Sequence, residues 1–262
     1  MNEMKGRQVS NPLLVEIRDH IAVITLNRPQ ARNSLGADLV VALRSTLLEL
    51  DDDENIAVIV MTGSDPAFCA GLDLKAFAAQ GADYVAVLRE HECIRLIGEL
   101  ATPIVGAING AAFTGGLEIA LGCDFLIASE RAVFADTHAR VGVLPVGGLT
   151  ARLPERVGQA WARRMSFTGA LVDAAQAHSI GLVTEVVPHA ELLPRALEIA
   201  GQIADANRAT MRALKNIYAA GWSDSTGRAM ETELRLASQY TPAWEEIESN
   251  RRNVMSRNRS QL

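Results

Sequence analysis

Cysteine is scarce in this 262-residue chain: Cys69, Cys93 and Cys123 form no CxxC pair and stand at no metal-ligand spacing with histidine. So sparse and odd a count excludes a disulfide framework and a cysteine-held metal. It fits a reducing, cytoplasmic setting with all three thiols in the core. Phosphate-loop signatures are missing too, since neither GxxxxGK[ST] nor GxGxxG occurs. Basic charge is in deficit, with a formal net charge of −6. That argues against nucleic acid as a partner but leaves room for a small anionic ligand at a local patch or helix N-terminus. The first twenty residues carry acids early and no apolar stretch of signal-peptide length. No membrane span is expected either. The uncharged run from Leu100 to Leu117 approaches spanning length, but Pro103, Asn109, Thr114 and four glycines interrupt it. It reads as a buried strand leading into a helix.

What is present describes an ordinary globular protein, 48% hydrophobic and 21% charged, long enough to bury a sizeable core. "IAVITLNRP" reads as a strand ended by a turn, and "ADLVVALRSTLLELDDDEN" as an amphipathic helix. "IAVIVMTG" and "PIVGAIN" are continuous apolar strands, while "DFLIAS" and "AVFAD" are shorter ones. "DYVAVLREHECIRLIGEL" has the spacing of one amphipathic helix. Strands and helices alternating in this way imply an α/β core whose sheet is covered by helices. After about Ala151 the pattern turns helical, with "LVTEVV" the one clear strand, and beyond residue 200 it is helical and charged. An α/β core over residues 1–200 and a helical C-terminal region over 201–262 are therefore expected, with no flexible linker between them.

Two stretches share one design. "FCAGLDL" follows "IAVIVMTG", "FTGGLE" follows "PIVGAIN", and each small-residue loop opens a helix. Ligands of open α/β folds bind at the C-terminal ends of strands, and unpaired first-turn amides point outward there. Two such amides aimed at one point can hold an oxyanion. The second loop also delivers Glu118 into apolar company, Leu117, Ile119, Ala120 and Leu121. Desolvation pushes such a carboxyl's pKa upward, towards the range that suits general acid–base work.

"LNRPQARNSL", "MTGSDPAFCAGLDL", "AINGAAFTGGLEIALGCDF", "FADTHARVGVLPVGG" and "RLPERVGQAWARRMSFTG…GLVTEVV" together resemble the crotonase superfamily, the enoyl-CoA hydratase/isomerase group. The resemblance implies a spiral of ββα units, a helical C-terminal trimerisation region giving a homotrimer or hexamer, and an acyl-CoA thioester as substrate with no further cofactor and no metal. It places the oxyanion hole on the amides of Leu72 and Gly115. It places Arg28, Ala31, Ala70, Leu72, Asp73, Leu74, Gly115 and Gly116 along the CoA channel, with Arg28 equally readable as a structural residue of its turn. Glu118 matches the glutamate that acts on the catalytic water. The family's basic residues near the CoA are matched loosely by Arg251 and Arg252, without the aromatic that often precedes them.

One departure bears on the chemistry. Standard hydratases hold the water between two glutamates, and the position of the second is His138 here. Histidine does acid–base chemistry near neutral pH, so a Glu118–His138 pair is expected at the site, with Asp136 or Asp124 as possible orienting groups for the ring. Thr114 and Val146 also stand where glycine is common. The implied activity is hydration of a 2-enoyl-CoA. The alternatives are enoyl-CoA isomerisation, thioester hydrolysis, or binding of acyl-CoA without turnover.

Overall fold

The computed structural model describes residues 11–222, 227–239 and 244–261. The first described elements form a hairpin whose leading strand pattern reading missed. β1 (Leu13–Arg18) pairs antiparallel with β2 (Ile21–Leu26) across a turn in which Asp19 takes a left-handed conformation. Leu13 is the one buried residue of β1; Leu14, Val15 and Ile17 face outward, so no alternation marks the strand. Helix α1 (Ala37–Asp52) buries Leu39, Leu43, Leu47 and Leu50 along one stripe. β3 (Val58–Gly63) is buried throughout, as its unbroken apolar run requires.

From there the chain repeats one unit: a long strand, a short strand, then a helix. β3 is followed by β4 (Ala67–Cys69) and α2 (Leu74–Gln80), after which come α3 (Ala82–Glu90) and α4 (Ile94–Ile97). β5 (Ile104–Ile108) is followed by β6 (Ala111–Phe113) and α5 (Gly115–Gly122). β7 (Phe125–Ser129) is followed by β8 (Val133–Ala135) and α6 (His138–Val141). These are successive ββα units. The long strands build a sheet in the order β1-β2-β3-β5-β7-β10, parallel apart from β1. The short ones build a second sheet, β4-β6-β8-β9.

The remaining elements are α7 (Leu149–Thr168), β9 (Val172–Asp173), α8 (Ala174–Ser179), β10 (Glu185–Val187), α9 (Leu192–Ala204), α10 (Arg208–Trp222), α11 (Arg228–Ala237) and α12 (Trp244–Gln261). One apolar core lies between the large sheet and α1, α5 and α7; a second lies between that sheet's other face and α9. Helix α9 runs through residue 200 with Ala196 and Ala200 buried, so the core's last helix extends to Ala204.

Two expectations change. The two glycine-rich loops do not pass directly from strand to helix: each first contributes a short strand, and those strands pair, Ala67 with Ala111 and Cys69 with Ala112. Strands of three residues carry too little periodicity to be seen in sequence. The stretch "DYVAVLREHECIRLIGEL" is two helices, broken at His91 (φ −106°, ψ 41°). Glu92 accepts a hydrogen bond from the Arg95 amide at 2.8 Å, starting a new turn at the break. Asp124 stays away from the cavity. Its carboxylate accepts from the Ile104 amide at 2.7 Å and from Lys215 at 2.8 Å, tying α10 to the core.

Candidate active site

Pairing β4 with β6 sets the two loops side by side. Gly71 takes φ +88°, and a Cβ there would lie 2.8 Å from the Phe113 carbonyl oxygen and 3.2 Å from the Gly115 nitrogen. Only glycine fits that left-handed, crowded position. Among the described backbone hydrogen bonds, neither the Leu72 nor the Gly115 amide has a protein acceptor. Gly115 opens α5, whose first-turn N–H groups have no partner within the helix. Both residues line a cavity of about 1130 Å³, large enough for a substrate of considerable bulk.

The turn beneath the first loop is fastened from three sides. Arg28 Nη1 donates to the Ser34 carbonyl at 2.5 Å and Nη2 to Asp73 at 3.0 Å. Asp73 also caps α2 through the Ala76 amide at 3.1 Å, and its own amide donates to the Tyr84 hydroxyl at 3.2 Å. Buried Asn33, in a left-handed conformation, donates to the Ser64 and Ala67 carbonyls. Arg28 thus reaches the cavity wall with its guanidinium held by protein groups, which favours the structural side of its two readings.

Glu118 sits on the first turn of α5, 2% exposed. Its Oε1 accepts from the Gly147 amide at 2.8 Å and the Leu149 amide at 3.4 Å. A Cβ on Gly147 would come within 2.9 Å of the carboxyl carbon, so glycine there permits the approach. Burial pushes the Glu118 pKa up to about 7, and the Glu233 carboxylate adds to the rise. The nearby imidazole and the two amides pull against it.

His138 is buried at the start of α6, its Nε2 3.7 Å from Glu118 Oε2. On its other side Nδ1 meets Asp136 Oδ1 at 2.7 Å. Burial works against an imidazolium, but the Asp136 hydrogen bond and the Glu118 charge outweigh it, so the pKa of His138 rises. Burial likewise works against the Asp136 carboxylate, yet its bond to His138 holds that pKa below the ordinary value. Beside them the Thr114 and Thr137 hydroxyls meet at 2.7 Å. Thr114 holds φ 55°, a position costly for a β-branched residue.

The structure therefore brings Leu72, Gly115, Glu118 and His138 to one cavity, and Arg28, Ala31, Ala70, Asp73 and Leu74 also line it. Gly116 does not. It packs against β4, where a Cβ would fall 2.0 Å from the Cys69 carbonyl oxygen, so its role is close helix–strand contact rather than lining the channel. Arg251 of α12 reaches the wall while pairing with Glu248 at 2.6 Å; Arg252 is exposed and outside the lining. Sequence reading missed Glu233 on α11, which accepts from the Gly148 and Thr150 amides at 2.7 and 2.8 Å and so holds the start of α7 behind Glu118. No local pattern announces a contact across that many residues. Among the described residues no cluster of side chains suits a metal ion, and no helix is long and apolar enough to cross a membrane.

Successive ββα units that set two small-residue loops side by side over a buried carboxyl define a crotonase fold. The sequence profile described as Enoyl-CoA hydratase/isomerase matches residues 16–254, and the chain belongs to that family. It is 38% identical over 220 residues to the Arabidopsis thaliana protein named probable enoyl-CoA hydratase 1, peroxisomal, covering 84% of this chain and 83% of that one. The crystal structure of enoyl-CoA hydratase from Mycobacterium smegmatis superposes with a TM-score of 0.79 at 45% identity, covering 90% of this chain and 99% of its own. A monofunctional enoyl-CoA isomerase from M. smegmatis superposes with a TM-score of 0.72 at 32% identity, covering 82% and 95%.

Proposed function

We propose that the protein hydrates a 2-enoyl-CoA, with Glu118 and His138 as its acid–base pair and the Leu72 and Gly115 amides as its oxyanion hole. The observation that carries this reading is the facing of Glu118 Oε2 and His138 Nε2 across 3.7 Å, on a cavity that both unpaired amides also line. Water adds through its oxygen to the β-carbon, and Glu118 takes up the proton released. The thioester oxygen gains negative charge as the enolate forms, and the two amides stabilise that charge more than the ground-state carbonyl. The imidazolium of His138 returns a proton to the α-carbon. A proton then passes from Glu118 to His138 and resets the site.

The burial of both groups supports these roles, because a carboxyl near pKa 7 takes and gives a proton readily at neutral pH. The substrate reading extends to the channel: Ala31, Ala70, Asp73 and Leu74 shape it, and acyl-CoA needs no additional cofactor for this reaction. The test is loss of enoyl-thioester absorbance with 2-enoyl-CoAs of several chain lengths, with 3-enoyl-CoAs run alongside. Turnover of 2-enoyl-CoA that falls by roughly a hundredfold or more in Glu118→Ala is the expected result. Turnover of 3-enoyl-CoA alone would replace hydration with isomerisation, and acyl-CoA binding without any turnover would replace both with a binding role.

A further inference from the structure

Asp136 is a charged residue, 2% exposed, that no step above uses. Its Oδ1 accepts from two atoms of one residue, the His138 Nδ1 at 2.7 Å and the His138 amide at 3.1 Å. This double contact fixes the ring's rotation and places a proton on Nδ1. Nε2 is then the atom that exchanges protons, and it is the atom that faces Glu118. An Nε2 lone pair set against an ionised Oε2 would be repulsive, so one proton lies on one of the two.

We propose that Asp136 and His138 act as a single unit, an ion pair with no net charge and one transferable proton on Nε2, and so do the work of an undissociated carboxyl group beside Glu118. Asp136 is the positioning residue of this unit. The inference rests on the acid–base reading of Glu118 and His138, and it explains how histidine serves at a site where burial opposes an unpaired imidazolium. The other buried carboxylates near His138 favour its imidazolium: Glu118 faces it from α5, and Glu233 is buried on α11 behind the start of α7. Arg152 of α7, 3% exposed, has an Nε without a partner among the described residues. On α12, the Arg251 charge is already paired with Glu248. Without the Asp136 carboxylate, the imidazolium loses its nearest counter-charge, at 2.7 Å.

The experiment compares Asp136→Asn, His138→Glu and the double variant, assayed with 2-enoyl-CoA across pH. Alongside, the His138 ring is titrated by NMR in protein labelled at the histidine ε1 carbon; the chain has five histidines, and His138→Gln assigns the signal. With His138 in place, Asp136→Asn lowers kcat by on the order of a hundredfold with KM little changed. It also moves the His138 titration, and the alkaline limb of the pH profile, to lower pH. In the His138→Glu background there is no imidazolium for the Asp136 charge to hold, so adding Asp136→Asn there changes kcat by far less than roughly a hundredfold. Equal losses from Asp136→Asn in both backgrounds, or a His138 titration that does not move, would overturn the proposal. Asp136→Glu, which keeps the charge, carries the same titration if the asparagine variant does not fold. Because the titration needs no turnover, a failure of the hydratase reading is distinguishable from a failure of the ion-pair reading.

Discussion

Replacing Glu118 by glutamine removes a charge that folding buries, so the substitution should stabilise the protein most where that charge exists. The carboxyl is ordinarily half-ionised at pH 4.5 and is held up to about 7 here, chiefly by burial. A group whose folded-state pKa is raised contributes stability below its unfolded pKa and loses it as pH rises through the folded one. Linkage puts the cost of ionising Glu118 at about 1 kcal/mol near pH 5.5 and about 3 kcal/mol near pH 8.5. Glutamine keeps an oxygen for the Gly147 and Leu149 amides, so hydrogen bonding to the α7 start is retained. The stability of Glu118→Gln relative to wild type should therefore grow by about 2 kcal/mol between those two pH values, roughly 1 M in urea midpoint. Urea unfolding of both proteins at equal concentration measures it. A difference that stays flat with pH, or shrinks as pH rises, would refute the claim that Glu118 is buried with an elevated pKa.

Two further outcomes follow from the packing around the site. Gly116→Ala drives a Cβ into the Cys69 carbonyl, 2.0 Å away, with backbone on both sides. The variant should lose at least about 3 kcal/mol of stability, beyond ordinary overpacking, seen as a lower unfolding midpoint; a wild-type midpoint would show that α5 and β4 are not in this contact. Glu233→Ala strips acceptors from the Gly148 and Thr150 amides and the Thr150 hydroxyl. It should cost about 2–3 kcal/mol, with faster hydrogen exchange at those two amides, whereas Glu233→Gln should recover part of the loss. Equal exchange in all three proteins would mean that α11 does not hold the start of α7.

Much of the candidate site was legible in the residues. An acid flanked by Leu117, Ile119, Ala120 and Leu121 pointed to a buried carboxyl, and glycines at 71 and 115 pointed to tight turns or close backbone approach. Buried parallel strands announced themselves as unbroken apolar runs in β3 and β5, because both faces of such strands are covered. Register with a known family then put His138 opposite Glu118. Other features depended on three dimensions. Three-residue strands leave no periodic trace, so the second sheet that presses the two loops together was invisible. Gly116 has the same side chain as Gly115, yet one faces the cavity and the other a carbonyl, a difference set by the pitch of α5. Asp136 lies two residues from His138 and was a possible orienting group from the start, but only the turn between β8 and α6 made it the partner rather than Asp124. Glu233 lies far along the chain from Glu118, and folding alone brings its carboxylate behind the same helix start. Sequence by itself determined which groups are buried and chemically capable, because hydrophobic context is local. The tertiary structure decided which of them meet, because contact across the chain depends on strand pairing and helix phase.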